Sequence, residues 1–394
     1  MSRSSFTTHR MRFGAAVVLA LAASACAPPP PAQDLAAEQA ALPAPVVDQH
    51  IDVAALVAAA KKEGSVTVYD SSGDIVKVAK AFTAKYGIKA TGVKADVGDT
   101  QEKMTREAQA GKSTIDLTLY ESGPTLVGEL LPQKVVYTYL PSDLLPHLPQ
   151  ANRNPLTVLS KAMVWVYNPQ VFPHGCPVDN IWDVTTPEWT GKTVMQDPLS
   201  KPYLIEWFTQ MAAGYDKQLR AAYEKNFGKP LDTSAESAAH EWVARFAGNR
   251  PVLTSADDDV SAAVGAPNQT APRFGFVSIA KFRDVRNSGY HLAVCDTMAP
   301  FTGFQYPKFG AIATGSAHPN AAKLFLHFVL TEEGIAPEMS SGGISGNATV
   351  PPSKYNPPGL TDWDRQLVRF DRDQLLADFR GTEPMQDHWR LSRS

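Results

Sequence analysis

Apolar and polar positions alternate along the chain with two different periods. From residue 52 onward, short runs with a period of two, such as "SVTVY" (65–69), precede longer segments whose apolar residues recur every three to four positions, such as "DIVKVAKAFTAKYG" (74–87). The first period predicts β-strands and the second predicts amphipathic helices. The order repeats as far as the strand-like "IDLTLY" (115–120). This alternation predicts an α/β protein with a mostly parallel sheet covered by helices.

The pattern continues through the second half of the chain and fades near residue 346. A second α/β unit spans residues 161–295 and opens with the strand-like "KAMVWVYN" (161–168). The block "FGAIATGSAHPNAAKLFLHFVLTEEG" (309–334) predicts one more strand followed by a helix. The remaining sequence is polar and Pro-rich, with one predicted helix near 365–379. With 394 residues, the chain is long enough for two hydrophobic cores or one large divided core.

The first residues have the three parts of an export signal. Three arginines precede the apolar run "FGAAVVLALAA" (13–23), and small residues follow up to Cys26. The apolar run is too short to cross a membrane as a stable helix. We therefore expect residues 1–25 to be a signal peptide and the protein to be exported to the periplasm or cell envelope.

Cys26 is a candidate for lipid attachment. The stretch "ASAC" (23–26) resembles a bacterial lipobox, although Ala23 stands where a leucine is usual. Residues 26–50 would then be the lipid-anchor cysteine and a Pro/Ala-rich tether. The alternative is a simple secretory signal that leaves Cys26 as a free N-terminal thiol.

Composition and motifs argue against two classes of function. The formal net charge of −3 becomes about −6 when the three leader arginines are removed, and no basic patch or tail is present, so no nucleic-acid partner is expected. His240 stands in "HEW" rather than in H-E-x-x-H, and neither G-x-S-x-G nor a P-loop occurs. We therefore predict no catalytic residue, no resident metal and no cofactor.

The cysteine count predicts one disulfide. Besides Cys26, the chain has only Cys176 and Cys295. Two cysteines in an oxidising compartment favour a structural bond, and they are too few for a zinc site.

Four stretches, in matching order, resemble the extracellular solute-binding proteins of bacterial ABC importers, in the family that includes ferric-ion, thiamine, phosphonate and sugar-phosphate binders. They are "KKEGSVTVYDSSG" (61–73), "AFTAKYGIKA" (81–90), "EWTGKTVMQDP" (188–198) and "AHPNAAKLFLHFVLTEEG" (317–334). The resemblance implies a two-lobed periplasmic-binding-protein fold of type II, with a ligand cleft between the lobes. It also implies a small-molecule ligand and an ABC permease partner in the inner membrane, and we expect a monomer.

The resemblance also suggests domain boundaries. Lobe one would comprise residues 51–158 and 300–345, and lobe two residues 159–299. The chain would cross between them near 161–168 and again near "APFTGFQYPKFG", and residues 346–394 would pack on the lobes or be partly disordered.

Two strand ends in lobe one are candidate ligand sites. "SSG" (71–73) lies where a strand meets a helix start, a place where hydroxyls and backbone N–H groups can hold a phosphate, phosphonate or carboxylate. The alternative is that a serine only caps the helix, and Asp74 would repel an anion. "ESG" (121–123) repeats this arrangement, with a plain turn as its alternative. The predicted contacts are Ser71, Ser72, Gly73, Glu121, Ser122 and Gly123.

Two further segments are candidates in lobe two. In "SKPYLIEW" (200–207), Tyr203 and Trp207 are four residues apart and would either stack on a ligand or fill the core, which is the expectation for Trp207. The three aspartates of "TSADDDV" (254–260) follow a strand, where carboxylates suit sugar hydroxyls or an ammonium group; a solvated surface or helix cap is the alternative. The predicted contacts are Ser200, Lys201, Tyr203, Asp257, Asp258 and Asp259.

These residues predict an organic ligand with an anionic end and a polar or cationic body, such as a phosphonate or a sugar phosphate. Ferric ion is a second candidate, but the segment that supplies adjacent tyrosines in the ferric-ion binders, "SAAVGAPNQTAPRFGFVS" (261–278), contains no tyrosine here. A sensory binding protein that serves a membrane receptor would have the same sequence features. A metal-dependent periplasmic hydrolase built on the aspartate cluster is a less favoured hypothesis.

Overall fold

The computed structural model describes residues 42–394 and Ala37. The predicted signal peptide, Cys26 and most of the predicted tether therefore lie outside the described residues. The principal strands are β1 Ser65–Asp70, β2 Lys89–Lys94, β3 Leu117–Tyr120, β4 Thr157–Tyr167, β5 Thr193–Gln196, β6 Val252–Thr254, β7 Phe274–Ser278 and β8 Gly303–Ala313. The helices of eight residues or more are α1 Val53–Glu63, α2 Ile75–Tyr86, α3 Val97–Gln109, α4 Pro202–Gly214, α5 Asp216–Phe227, α6 Ala238–Gly248, α7 Asp257–Gly265, α8 Pro319–Val329, α9 Glu332–Met339 and α10 Leu375–Arg393.

Shorter elements complete the fold. Strands Val46–Val47 and Tyr139–Leu140 pair with each other, and strands Val136–Tyr137, Ala293–Val294, Ile344–Ser345 and Leu367–Val368 add to β4 or β8. Short helices cover Gly123–Thr125, Leu126–Leu130, Phe282–Ser288 and Trp363–Gln366. None of the described helices is long and apolar enough to cross a membrane.

The sheet consists of two parallel parts joined by an antiparallel pair. Its strand order is β2-β1-β3-β8-β4-β7-β5-β6. Strand β1 is parallel to β2 and β3, and β5 is parallel to β7 and β6, whereas the 11-residue strands β4 and β8 run antiparallel to each other. The strand–helix alternation thus gives the predicted α/β class, with β4 and β8 at the centre.

Strands β4 and β8 pass from one hydrophobic core to the other. Leu159 of β4 belongs to the same core as Phe82 of α2, and Trp165 of the same strand belongs to a second, aromatic core. At the lobe-two end of this pair, Gly303 of β8 packs so closely on β4 that a Cβ there would lie 1.9 Å from the carbonyl oxygen of Met163. The two lobes therefore meet along a tightly packed strand pair.

Large side chains fill both cores. In lobe one, the rings of Phe82 and Phe325 lie 5.1 Å apart, on the helix faces that the 3.6-residue period predicts. In lobe two, Trp207 is 1% exposed and stacks on Phe276 at 4.5 Å, as expected for a core residue. The predicted disulfide is present between Cys176 and Cys295, whose Cα atoms are 5.3 Å apart.

Residues 346–394 pack on both lobes. The helix predicted near 365–379 differs from the observed elements, because Leu367–Val368 pairs with the start of β8 as a short strand and α10 begins only at Leu375. Backbone pairing to a neighbouring strand has here overridden local helix preference.

Candidate functional site

A cleft of about 510 Å³ lies between the lobes, above the central strands. This volume is typical of small-molecule sites. Its charged side chains come from both lobes and from the strand pair. The basic ones are Lys94, Lys161, Lys201, Lys281, Arg283 and Lys308, and the acidic ones are Asp96, Glu121, Asp257 and Asp258.

Nine of the twelve predicted contact residues line this cleft: Ser71, Ser72, Gly73, Glu121, Ser200, Lys201, Tyr203, Asp257 and Asp258. The other three lie away from it. The hydroxyl of Ser122 donates to Glu206 Oε1 at 2.6 Å, and Gly123 packs under Leu375, where a Cβ would lie 2.6 Å from Leu375 Cδ2. Asp259 is exposed to solvent on α7.

The turn after β1 has fewer free donors than its sequence predicts. The N–H of Ser72 donates to Asp70 Oδ1 at 2.9 Å, and the N–H of Asp74 donates to the hydroxyl of Ser72 at 3.1 Å. Ser72 thus bonds within the turn and does not cap the helix, whose N-cap residue is Asp74. The buried Asp70 carboxylate beside it lowers the anion affinity expected from the turn alone.

Lys308 forms the centre of the cleft floor. Its Nζ lies 2.7 Å from Asp70 Oδ1, 3.2 Å from Glu338 Oε2 and 3.4 Å from Glu121 Oε1. Burial lowers the pKa of Lys308, but the three carboxylates outweigh this and hold it well above its usual range. Burial also raises the pKa of Asp70. Lys308 is therefore permanently charged, and acids of lobe one balance its charge.

Lys161 supplies a second cation to the floor from the neighbouring strand β4. Its Nζ lies 3.3 Å from Glu338 Oε2 and 2.9 Å from the hydroxyl of Ser341. Burial alone would raise the pKa of Glu338, but Lys308 and Lys161 together lower it. One ionised carboxylate thus fixes two lysines that both face the cleft.

The wall from lobe two presents an incompletely bonded carboxylate. Asp257 Oδ2 accepts the N–H of Ser278 at 3.1 Å, whereas the buried Oδ1 has no hydrogen-bond partner among residues 42–394. Burial raises the pKa of Asp257 to about 7, although Lys281 acts in the opposite direction. The adjacent Asp258 is ion-paired with Lys281, and this bond lowers its pKa. Asp257 Oδ1 is therefore an unsatisfied hydrogen-bond acceptor in this wall.

Two stacked aromatic rings form part of the same wall. Tyr203 of α4 lies on Tyr306 of β8, with ring centres 5.2 Å apart and planes 16° from parallel. The Tyr203 hydroxyl donates to Gln196 Oε1 at 2.7 Å, and that of Tyr306 lies 3.1 Å from the Ser278 hydroxyl. This pair gives the cleft an apolar surface beside its charges.

One ion pair crosses the mouth of the cleft. Lys201 Nζ, at the start of α4, lies 3.6 Å from Asp96 Oδ1, at the start of α3. The lobes therefore contact each other directly above the floor.

Residues 77–363 match the family of bacterial extracellular solute-binding proteins. The chain belongs to this family. The predicted family is confirmed, and with it the role of a solute-binding, periplasmic component of an ABC importer. No curated protein matches the chain significantly.

Solved structures of solute-binding proteins share the fold. Iron-bound HitA from Pseudomonas aeruginosa is 17% identical, with a TM-score of 0.59 over 83% of this chain and 99% of its own. AfuA from Actinobacillus pleuropneumoniae, with fructose-6-phosphate bound, is 16% identical, with a TM-score of 0.64 over 83% and 99%. The ferric binding protein from Campylobacter jejuni is 13% identical, with a TM-score of 0.60 over 82% and 99%. The predicted type II fold is confirmed, while the bound species of these neighbours differ.

Several cleft residues of this solute-binding protein were not predicted from the sequence. Tyr306 and Lys308 are polar positions two apart in the crossing strand, a period that places both on one face of the sheet. That signal was available in the sequence. Lys161 and Lys281 gave no comparable signal. Lys161 is a lone lysine in an apolar strand, Lys281 is one of several charges in "AKFRDVR" (280–286), and each becomes part of the site only when distant segments come together. Among the described residues, no group of three or more His, Cys, Asp or Glu side chains is arranged to hold a metal ion.

Proposed function

We propose that this solute-binding protein captures a small organic anion of the phosphonate or sugar-phosphate type and delivers it to an ABC permease. The observation that carries the proposal is that six basic side chains, against four acidic ones, line the interlobe cleft, where one carboxylate oxygen is buried and unpartnered. The cations suit the anionic group, and Asp257 Oδ1 suits a hydroxyl or ammonium on the same molecule.

The ligand would bind to both lobes and the floor at once. Lobe one offers Ser71 and Lys94, lobe two offers Lys281 and Asp257, and Lys308 lies between them. Only contacts that depend on the closed arrangement shift an open-to-closed equilibrium. A ligand that spans these groups would therefore stabilise the closed form that a permease recognises.

Ferric ion is the second candidate, because two phenol groups, Tyr203 and Tyr306, line the cleft. Ferric binding would require their ionisation. Burial raises the pKa of both groups, and both hydroxyls already have protein partners. These contacts favour an organic anion over iron.

A thermal-shift panel on the full chain tests the proposal. The panel contains phosphonates, sugar phosphates, organic acids, polyamines and ferric ion. A phosphorylated or phosphonate ligand at a hundred times its Kd should stabilise the folded state by about 2.7 kcal/mol. The variant Lys281→Met should lose this shift, while Lys225→Met, on the exposed surface of α5, should keep it. A shift with polyamines or ferric ion alone would contradict the proposal.

A further inference from the structure

The start of helix α10 is anchored in lobe one. Leu375 is fully buried in the same cluster as Leu126 and Phe309. Phe379 lies against the backbone of Gly128, where a Cβ would come within 2.2 Å of the Phe379 ring. The first turns of the helix are thus fixed to the short helices that follow β3, while the buried Asp378 between these two residues accepts a hydrogen bond from Gln210 of α4 in lobe two.

The end of the same helix is anchored in lobe two. Trp389 is fully buried and lies 5.6 Å from the ring of Phe208 and 6.1 Å from that of Phe246. The Nε2 of His388 donates to the carbonyl of His240 at 2.8 Å. The last turns of α10 therefore belong to the aromatic core.

The residues between the two anchors weaken the helix. Pro384 has no N–H to donate to the helical hydrogen bond, and Gly381 is a glycine, the residue type with the greatest backbone freedom. Packing does not require a glycine there, because the nearest atom to a Cβ on Gly381 would be Thr209 Cγ2 at an ordinary 3.4 Å. Gly381 and Pro384 are thus the weakest helix formers between the two anchors.

We infer that α10 is a third link between the lobes, beside β4 and β8, which bends at residues 381–384 as the cleft opens and closes. This inference rests on the lobe motion of the proposed function. The family match ends at Trp363, so the link lies outside the region that this chain shares with the family profile. Its stiffness sets how far the lobes separate.

Distances between spin labels on the two lobes test the link without any ligand. The full chain carries Cys26→Ser and labels at Lys80→Cys on α2 and Lys225→Cys on α5, both exposed. The wild-type helix should give a distribution with more than one component. The variant Gly381→Ala/Pro384→Ala stiffens the helix. It should lose the component whose label-to-label distance differs most from that in this structure. The matched control Gly214→Ala/Pro337→Ala, which changes a helix glycine and a helix proline inside single lobes, should not.

A second variant should change the distance distribution in the opposite direction. Phe379→Ala releases the anchor in lobe one and should broaden the distance distribution, even if the stiffened variant folds poorly. A wild-type distribution with one narrow component, or identical distributions in wild type, the stiffened variant and Phe379→Ala, would overturn the inference. Because no ligand is used, failure of the ligand panel and failure of this link are separate results.

Discussion

Neighbouring carboxylates in this protein have very different surroundings. Asp257 and Asp259 stand two residues apart at the start of α7, yet Asp257 faces Ser278 in the cleft and Asp259 faces solvent. Their sequence context is nearly the same. Only the direction of each side chain from the helix separates a candidate ligand contact from a solvated charge.

We expect Asp257→Asn to weaken the binding of the ligand that gives the largest thermal shift by about tenfold, because an amide oxygen accepts a weaker hydrogen bond than a carboxylate oxygen does. Asp259→Asn should leave affinity unchanged. Titration calorimetry of the two variants checks this. Equal affinities for both variants and wild type would show that the ligand does not use Asp257.

Glu206 makes stability depend on pH. Burial raises its pKa to about 8, with smaller increases from Asp378 and Glu121, although the bond from Ser122 acts in the opposite direction. Between the ordinary pKa of a glutamate and about 8, the folded state holds a proton that the unfolded state has lost. Folding stability should therefore fall as pH rises through this window.

The variant Glu206→Gln should flatten this dependence, since an amide resembles the protonated acid. At pH 8 we expect its free energy of unfolding to exceed that of wild type by a few kcal/mol, which is the magnitude that a pKa shift of this size implies. Urea unfolding at pH 5 and pH 8 measures the difference. Some slope should remain, because burial also raises the pKa of Asp257 and Asp378 to about 7. Glu236→Gln, whose carboxylate is exposed, is the control.

At the scale of elements, the sequence predicted most strands and helices but not their partners. The periods at 65–69 and 74–87 correspond to β1 and α2, because each segment's apolar face is a local property. The pairing of Lys161 with Glu338 joins a central strand to a helix far along the chain, and no local period contains it. The number of free N–H donors in the turn 71–73 was overestimated for a related reason, because the Asp70 side chain accepts a hydrogen bond from the N–H of Ser72.

The disulfide ties two such distant elements. Cys176 lies in the connector after β4 and Cys295 follows the short strand Ala293–Val294, with a separation of 119 residues. We expect Cys176→Ser/Cys295→Ser to lower the free energy of unfolding by about 2–5 kcal/mol, since the bond restricts the unfolded chain. Urea unfolding measures this. Reductant should lower wild type to the same level and leave the double variant unchanged, and a double variant as stable as wild type would contradict the expectation.

At the scale of the molecule, two lobes share one cleft, and contacts across it bias their relative position. The ion pair between Lys201 and Asp96 is one such contact, and the Asp96 side chain is 74% exposed. Exposed pairs contribute at most about 1 kcal/mol. The pair is therefore a weak bias toward the closed form rather than a lock.

We expect Lys201→Ala to increase the radius of gyration of the ligand-free protein slightly, and to weaken ligand binding by less than about fivefold. Small-angle scattering measures the first effect. High salt should produce the same expansion in wild type, because it screens the pair, and should add little in the variant. Salt-induced expansion of equal size in both proteins would assign the effect to other charges.

The burial of Trp389 has a consequence for how this protein is made. Synthesis proceeds from the N-terminus, and segments that are already translated begin to fold first. In chain order, Met163 is the first residue of the aromatic core of lobe two and Trp389 is the last. That core cannot be completed until residue 389 has left the ribosome. We expect the nascent chain to remain loosely folded for most of its translation, which is the condition in which a polypeptide can still be threaded through a secretion channel.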